Sequence, residues 1–228
     1  MRRMTLLING DDTLWESNVI VERTMERFFS LVEGFGYARA YARHILNETE
    51  RLNVRQHGYG VRSFGRSLEE TYRKLAEGLA QPSALKQVSD LALELERTPP
   101  RVFDGVPETL SYLSSRHRLI LLTQGEAAEQ AAKVERSGLQ SFFEAIEIIG
   151  KKSFSAYRDL VGKHHVVKSH GWIVGHSALD DINPALRLGL NAAFVPLASA
   201  GNPDAAELQS GSGRLLLVAK FADLRDHF

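Results

Sequence analysis

Several short polar clusters in this chain have residue types and spacing that could do chemistry. Asn9-Gly10-Asp11-Asp12-Thr13 follows a brief apolar run, and two adjacent acids in a tight turn are either a common turn sequence or a source of charge and proton transfer. Thr123-Gln124-Gly125 ends a second apolar run just ahead of a helical stretch. There the threonine hydroxyl and the following backbone N–H groups either cap the helix or grip a phosphate at its N-terminus. Lys151 and Lys152 follow Ile148-Ile149-Gly150, and a lysine pair in a loop reads by itself as solvated charge. Asp180 and Asp181 come after Val174-Gly175-His176 and load the start of a helix with favourable negative charge. Residues 57–68 are glycine-rich, basic and aromatic, and Arg62 or Arg66 could hold a substrate anion bidentately if that loop is more than a flexible connection. His164, His165 and His170 show no metal-ligand spacing and read as surface residues.

The elements that must position these clusters are legible from the apolar pattern. Continuous runs at 5–8, 119–122, 145–149, 172–174, 192–195 and 215–218 read as strands buried on both faces, the mark of a covered parallel sheet. Helical stretches separate them. Residues 126–136 stop at Gly138, a left-handed C-terminal cap, and Asn183 is placed to cap a helix with Pro184 at its first position. Strands alternating with helices predict an α/β fold, a Rossmann-like doubly wound parallel sheet. Ligands of such sheets sit outside the carboxyl ends of the strands, where four of the polar clusters fall. Residues 16–98 break the alternation: they contain no strand candidate and read as helices at 16–32, 38–52, 68–79 and 84–96.

Composition narrows the function classes. Among 228 residues, 28 basic and 28 acidic side chains cancel, so no global field favours nucleic acid or an anionic membrane. Cysteine is absent, which removes disulfides, thiolate chemistry and cysteine-based zinc sites. The apolar run before Asn9 is too short for a signal segment or a membrane span. A cytoplasmic protein with no nucleic-acid or membrane partner is expected, and its oligomeric state is open.

The order and spacing of the clusters resemble the haloacid dehalogenase (HAD) superfamily of hydrolases. Asn9-x-Asp11-x-Thr13 is similar to the first motif, Asp-x-Asp-x-Thr, and Leu121-Leu122-Thr123 to the second. Gln130 to Lys133, Ser137-Gly138-Leu139 and Phe142-Phe143 resemble the run joining the second and third motifs, and 103–110 resembles the exit from the cap. The resemblance implies a core at 1–15 and 99–228, with a helical cap of the first type inserted at 16–98. It implies Asp11 as general acid/base, Thr123 as the second-motif threonine, and Lys152 (Lys151 in reserve, Tyr157 following at the usual distance) as the cation that holds nucleophile and phosphate together. Gln124 and Gly125 would bind substrate with Arg62 and Arg66. Mg²⁺ would be held by the groups at positions 9, 11 and 181, with Asp180 as the alternative ligand. The acid at position 11 favours phosphate esters over haloacids, so the implied reaction is magnesium-dependent hydrolysis of a small phosphate monoester, and the implied partner a small phosphorylated metabolite.

Two positions depart from the pattern. The nucleophile position holds Asn9, and His176 stands where the fourth motif has its first acid. An amide cannot attack phosphorus, and losses of a nucleophile cost roughly 10⁴- to 10⁶-fold in turnover. Three accounts of Asn9 follow: a substituted form of an active phosphatase, a natural descendant that has lost catalysis and binds a phosphometabolite or protein partner, or an Asn9-Gly10 pair that deamidates back to Asp.

Overall fold

A computed structural model of the chain describes residues 3–197 and 208–228. The chain divides into two compact units, one formed by Met1–Glu16 with Pro100–Phe228 and the other by Ser17–Pro99.

The first unit is an α/β sandwich around one six-stranded sheet. Its strands are β1 (Thr5–Asn9), β2 (Arg118–Gln124), β3 (Ala145–Ile149), β4 (Gly171–Gly175), β5 (Asn191–Phe194) and β6 (Leu215–Leu217). They lie in the order β3-β2-β1-β4-β5-β6 and all pair in parallel. The strand period of two sorts the apolar runs onto opposite faces. Leu6, Ile8, Leu119, Leu121, Trp172 and Val174 point to one side; Leu7, Ile120, Leu122 and Ile173 point to the other. Helices α5 (Val106–Ser114) and α6 (Ala127–Ser137) cover the first face, while α7 (Phe154–Lys163) and α8 (Asn183–Leu188) cover the second. β1 is central, and the chain passes to β2 on one side of it and to β4 on the other. That reversal of direction opens the crevice of a doubly wound sheet at the carboxyl end of β1.

The second unit is a bundle of α1 (Asn18–Gly34), α2 (Arg39–His57), α3 (Val61–Leu75) and α4 (Pro82–Arg97) around its own apolar core, which includes Phe28, Phe29, Leu46, Leu68 and Val88. The glycine-rich stretch differs from the expected loop. Only Gly58, Tyr59 and Gly60 connect helices, and α3 starts at Val61, seven residues before the predicted start. Gly65 lies inside that helix because a Cβ there would stand 2.7 Å from the Ala92 Cβ of α4. It is a packing glycine, not a hinge. The helix also ends earlier than predicted, where Glu77 and Gly78 take left-handed backbone angles (φ 45° and 87°).

Two local expectations in the first unit are corrected. Asn183 does not cap α8, since its side-chain oxygen accepts from the Gln209 N–H; a π turn at Ala178–Ile182 leads into the helix, and Ser177 caps that turn through the Asp180 N–H. His164 is buried, not on the surface, in hydrogen-bond contact with Glu147 (2.7 Å), while Arg118 donates to its carbonyl at 2.5 Å.

Candidate functional site

Parallel register brings the polar clusters to one edge. Asn9 is level with Leu122 of β2, and Ile8 with Val174 of β4, so Asn9, Thr123 and Gly175-His176 leave neighbouring strands side by side. Thr123 pairs with Ile148 of β3, which sets the loop carrying Lys151 and Lys152 beyond the same edge. After β1 the chain turns sharply. Asp12 takes a left-handed backbone angle (φ 54°), and Leu14 donates back to the Gly10 carbonyl. Gly10 is required there, since a Cβ would come within 2.5 Å of the Trp15 ring.

The buried centre of the site is Lys152. Its Nζ donates to Asn9 Oδ1 (2.7 Å) and to Asp181 Oδ1 (2.5 Å), and its backbone N–H donates to Gln124 Oε1 (2.6 Å). Lys151 is exposed. Asp181 is fully buried, whereas the Asp180 side chain is exposed. A Cβ on Gly175 would sit 2.3 Å from Asp181 Oδ2, so the bare strand end is what lets that carboxylate tuck in. The Tyr157 hydroxyl shares its one hydrogen between Asp181 Oδ1 (3.2 Å) and the Asp180 carbonyl (3.0 Å). Burial first, and the nearby Asp181 charge second, push the Tyr157 phenol well above its ordinary pKa, which keeps it a donor.

Asn9 uses every polar atom it has. While Oδ1 accepts from Lys152, Nδ2 faces the Asp11 carbonyl (2.6 Å), Thr13 Oγ1 (3.0 Å) and His176 Nδ1 (3.1 Å). Asp11 is also committed. Its Oδ1 accepts from Trp15 Nε1 (2.8 Å) and from Lys133 Nζ (2.8 Å), and Oδ2 lies 3.4 Å from the Thr123 hydroxyl. Burial alone would raise the Asp11 carboxyl, but the Lys133 ammonium, the indole N–H and the more distant Lys152 together hold it below the usual carboxylate value. A carboxylate kept ionised in this way is a poor proton donor to a leaving group.

The second strand end is equally occupied. Thr123 donates to Gln130 Oε1 (2.8 Å), and the helix that follows takes its cap from Glu126 instead. The Gly125 N–H donates to the Ile149 carbonyl, and a Cβ on Gly125 would collide with Gln130. The first free N–H groups of α6, at Ala128 and Glu129, are capped by the Glu126 carboxylate (3.0 and 2.9 Å). In the helical unit, Arg62 pairs with Glu96 and Arg66 meets the His57 ring, both side chains being exposed.

These residues do not fit Mg²⁺. The ion needs about six oxygens at close range in octahedral array. Here the amide turns its nitrogen, not its oxygen, toward the Asp11 carbonyl, and each of Asp11 and Asp181 already faces its own lysine. Asp180 is exposed, and among the described residues no three Asp, Glu, His or Cys side chains gather as a metal-holding group.

Sequence reasoning missed Lys133, Trp15 and Gln130 as site residues. A signal existed: α6 starts at the end of β2, and Gln130 and Lys133, three apart, share the helix face turned back toward that strand end.

No protein-family model matches the sequence, and no curated protein matches it. Solved structures do. A haloacid dehalogenase-like family hydrolase from Xanthomonas campestris superposes with a TM-score of 0.85 at 23% identity, over 99% of this chain and 90% of that one. The protein described as the HAD-hydrolase YfnB from Bacillus subtilis, bound to magnesium, gives 0.66 at 18% identity, over 100% of this chain and 99% of that one. The L-2-haloacid dehalogenase from Xanthobacter autotrophicus, with chloropropionic acid covalently bound, gives 0.63 at 15% identity, over 99% of this chain and 98% of that one. The chain has the haloacid dehalogenase-like hydrolase fold.

Proposed function

We propose that this chain is a HAD-superfamily protein of phosphatase ancestry that holds a small phosphorylated metabolite at its strand-end site without hydrolysing it. The observation that carries this reading is the state of Asn9 and Asp11. The nucleophile position offers an amide whose oxygen is held by Lys152, and the acid/base position offers a carboxylate held ionised by Lys133. Neither half of a two-carboxylate phosphoryl transfer is available, while Lys133 and Lys152, each facing one carboxylate, keep ammonium donors at the edge that a phosphate could share. The 16–98 segment serves as the cap in this reading, with Arg62 and Arg66 as its contribution to substrate choice. A cytoplasmic setting belongs to the same proposal; among the described residues no helix is long and apolar enough to cross a membrane.

The second reading, a magnesium-dependent phosphatase disabled only by Asn9, is favoured by the convergence of Asp11, Thr123, Lys152 and Asp181 on one edge. Deamidation is disfavoured, since the Gly10 nitrogen that would attack the amide donates to the Leu122 carbonyl (3.2 Å). Assaying a generic aryl phosphate with the chain and with Asn9→Asp separates the readings. We expect neither protein to turn over, and inorganic phosphate to protect the chain against thermal unfolding. Recovery of activity by Asn9→Asp would establish the second reading; turnover by the chain itself would overturn the first.

A further inference from the structure

We infer that Asn9 and His176 together take the place of a divalent cation at this strand edge, so that the site is closed by hydrogen bonds alone and excludes Mg²⁺. The inference rests on reading position 9 as a former nucleophile.

The orientation of the Asn9 amide is forced from both ends. Lys152 Nζ can only donate, so the group facing it at 2.7 Å is the amide oxygen. The Asp11 carbonyl can only accept, so the group facing it at 2.6 Å is the amide nitrogen. Turning the amide over would set NH₂ against an ammonium and oxygen against oxygen. Nδ2 therefore presents two hydrogens to three acceptors drawn from the strand-end turn and from the loop after β4: the Asp11 carbonyl, Thr13 Oγ1 and His176 Nδ1. Oxygen and nitrogen lone pairs from two loops are thereby gathered around one N–H donor group, as they would be around a bound cation.

His176 completes the arrangement. Its Nδ1 is approached by the Asn9 amide at 3.1 Å and by the Thr13 hydroxyl at 3.4 Å, so Nδ1 carries the lone pair and Nε2 the hydrogen. Neither side chain brings a carboxylate to this side of the site. Two carboxylates at positions 9 and 176 would put two negative charges here and need a cation between them. An amide and an imidazole need none. The charges that remain cancel in pairs, Asp11 with Lys133 (2.8 Å) and Asp181 with Lys152 (2.5 Å). A Mg²⁺ ion would enter with an uncompensated double charge and would have to displace either the amide nitrogen or Lys152. Asn9 and His176 are thus one unit, and each residue makes the other tolerable.

The test is a titration with Mn²⁺, a paramagnetic stand-in for Mg²⁺, followed by electron paramagnetic resonance, with thermal unfolding measured in millimolar MgCl₂. The chain itself is expected to leave the free-ion signal undiminished and its melting temperature unmoved. Asn9→Asp with His176→Asp is expected to take up one Mn²⁺ and to melt higher in Mg²⁺, with a gain in affinity that exceeds the product of the two single variants' gains by about tenfold, the signature of coupled sites. Stoichiometric Mn²⁺ uptake by the unaltered chain, lost in Asp181→Asn, overturns the inference. So does a double variant that is folded by circular dichroism and takes up none. If the double variant does not fold, the titration of the unaltered chain decides alone. Hydrolysis of an aryl phosphate in the presence of a chelator would end the non-hydrolytic reading and leave this inference standing; Mn²⁺ uptake without hydrolysis would do the reverse.

Discussion

Each of the two units buries a polar cluster, and the two clusters are built on different principles. In the helical unit, Thr49 and Asn53 of α2 meet Ser63, Ser67 and Thr71 of α3 along a buried seam. Its bonds stay within or between these two adjacent helices: Thr49 donates to the Ile45 carbonyl and accepts from Lys74, Ser67 donates to the Ser63 carbonyl, and Asn53 to Ser67 and Glu70. The Ser63 and Thr71 hydroxyls are buried with no partner among the described residues. In the α/β unit, Asn9, Lys152 and Asp181 come from three strand ends far apart in sequence, and each polar atom discussed above meets a directed partner. Small hydroxyls on a helix can satisfy themselves on the preceding turn, so they tolerate burial without being drawn together. Opposite charges cannot be buried that way. They persist only where the fold converges them, which is why convergence of charge, and not buried polarity, marks a site.

The largest effect expected is on the strand-end cluster. Lys152→Met leaves the fully buried Asp181 carboxylate without its cation and should cost about 3–5 kcal/mol in urea denaturation. Adding Asp181→Leu should return most of that loss, because it removes the stranded charge; a double variant no better than the single would erase the contrast drawn with the seam. A smaller effect of opposite sign is expected in the helical unit. Thr71→Val removes a buried hydroxyl that has no partner and should stabilise by about 1 kcal/mol. A loss instead would mean that the seam holds its hydroxyls for a purpose. The smallest effect concerns pH, because the Asp11 side chain is 23% exposed and water screens its ion pair. Its folded pKa is depressed, so its contribution is fully present above the ordinary carboxylate value of about 4 and fades as pH falls through the lower folded value. The stability gap between the chain and Asp11→Asn should therefore hold steady from neutral pH down to the ordinary carboxylate range and narrow in stronger acid. The gap between the chain and Thr71→Val should stay flat over the same range.

Much of the fold was legible because a parallel sheet covered on both faces writes continuous apolar runs into the chain. All six strand candidates are strands, with ends displaced by only one or two residues. Boundaries failed where glycine was read as punctuation. Gly65 is helical for the sake of contact with Ala92, a tertiary fact that no local signal carries. The burial of His164 is illegible for a related reason: it follows α7 while its partner Glu147 lies on β3, and a lone histidine says nothing about what will face it.

The chain's own chemistry determined two things outright. The alternation of strands and helices specified a doubly wound α/β unit, because buried parallel strands have no other way to satisfy both faces. The amide at position 9 offers no carboxylate to attack with, because that is a property of the side chain and not of its setting. Only the tertiary structure decided the rest. It chose Lys152 over Lys151 and buried Asp181 while leaving Asp180 exposed, it brought Lys133 and Trp15 onto Asp11, and it turned the Asn9 nitrogen toward His176. Each of those choices depends on register between distant strands and on which neighbour can only donate or only accept, and such constraints exist only once the sheet has formed.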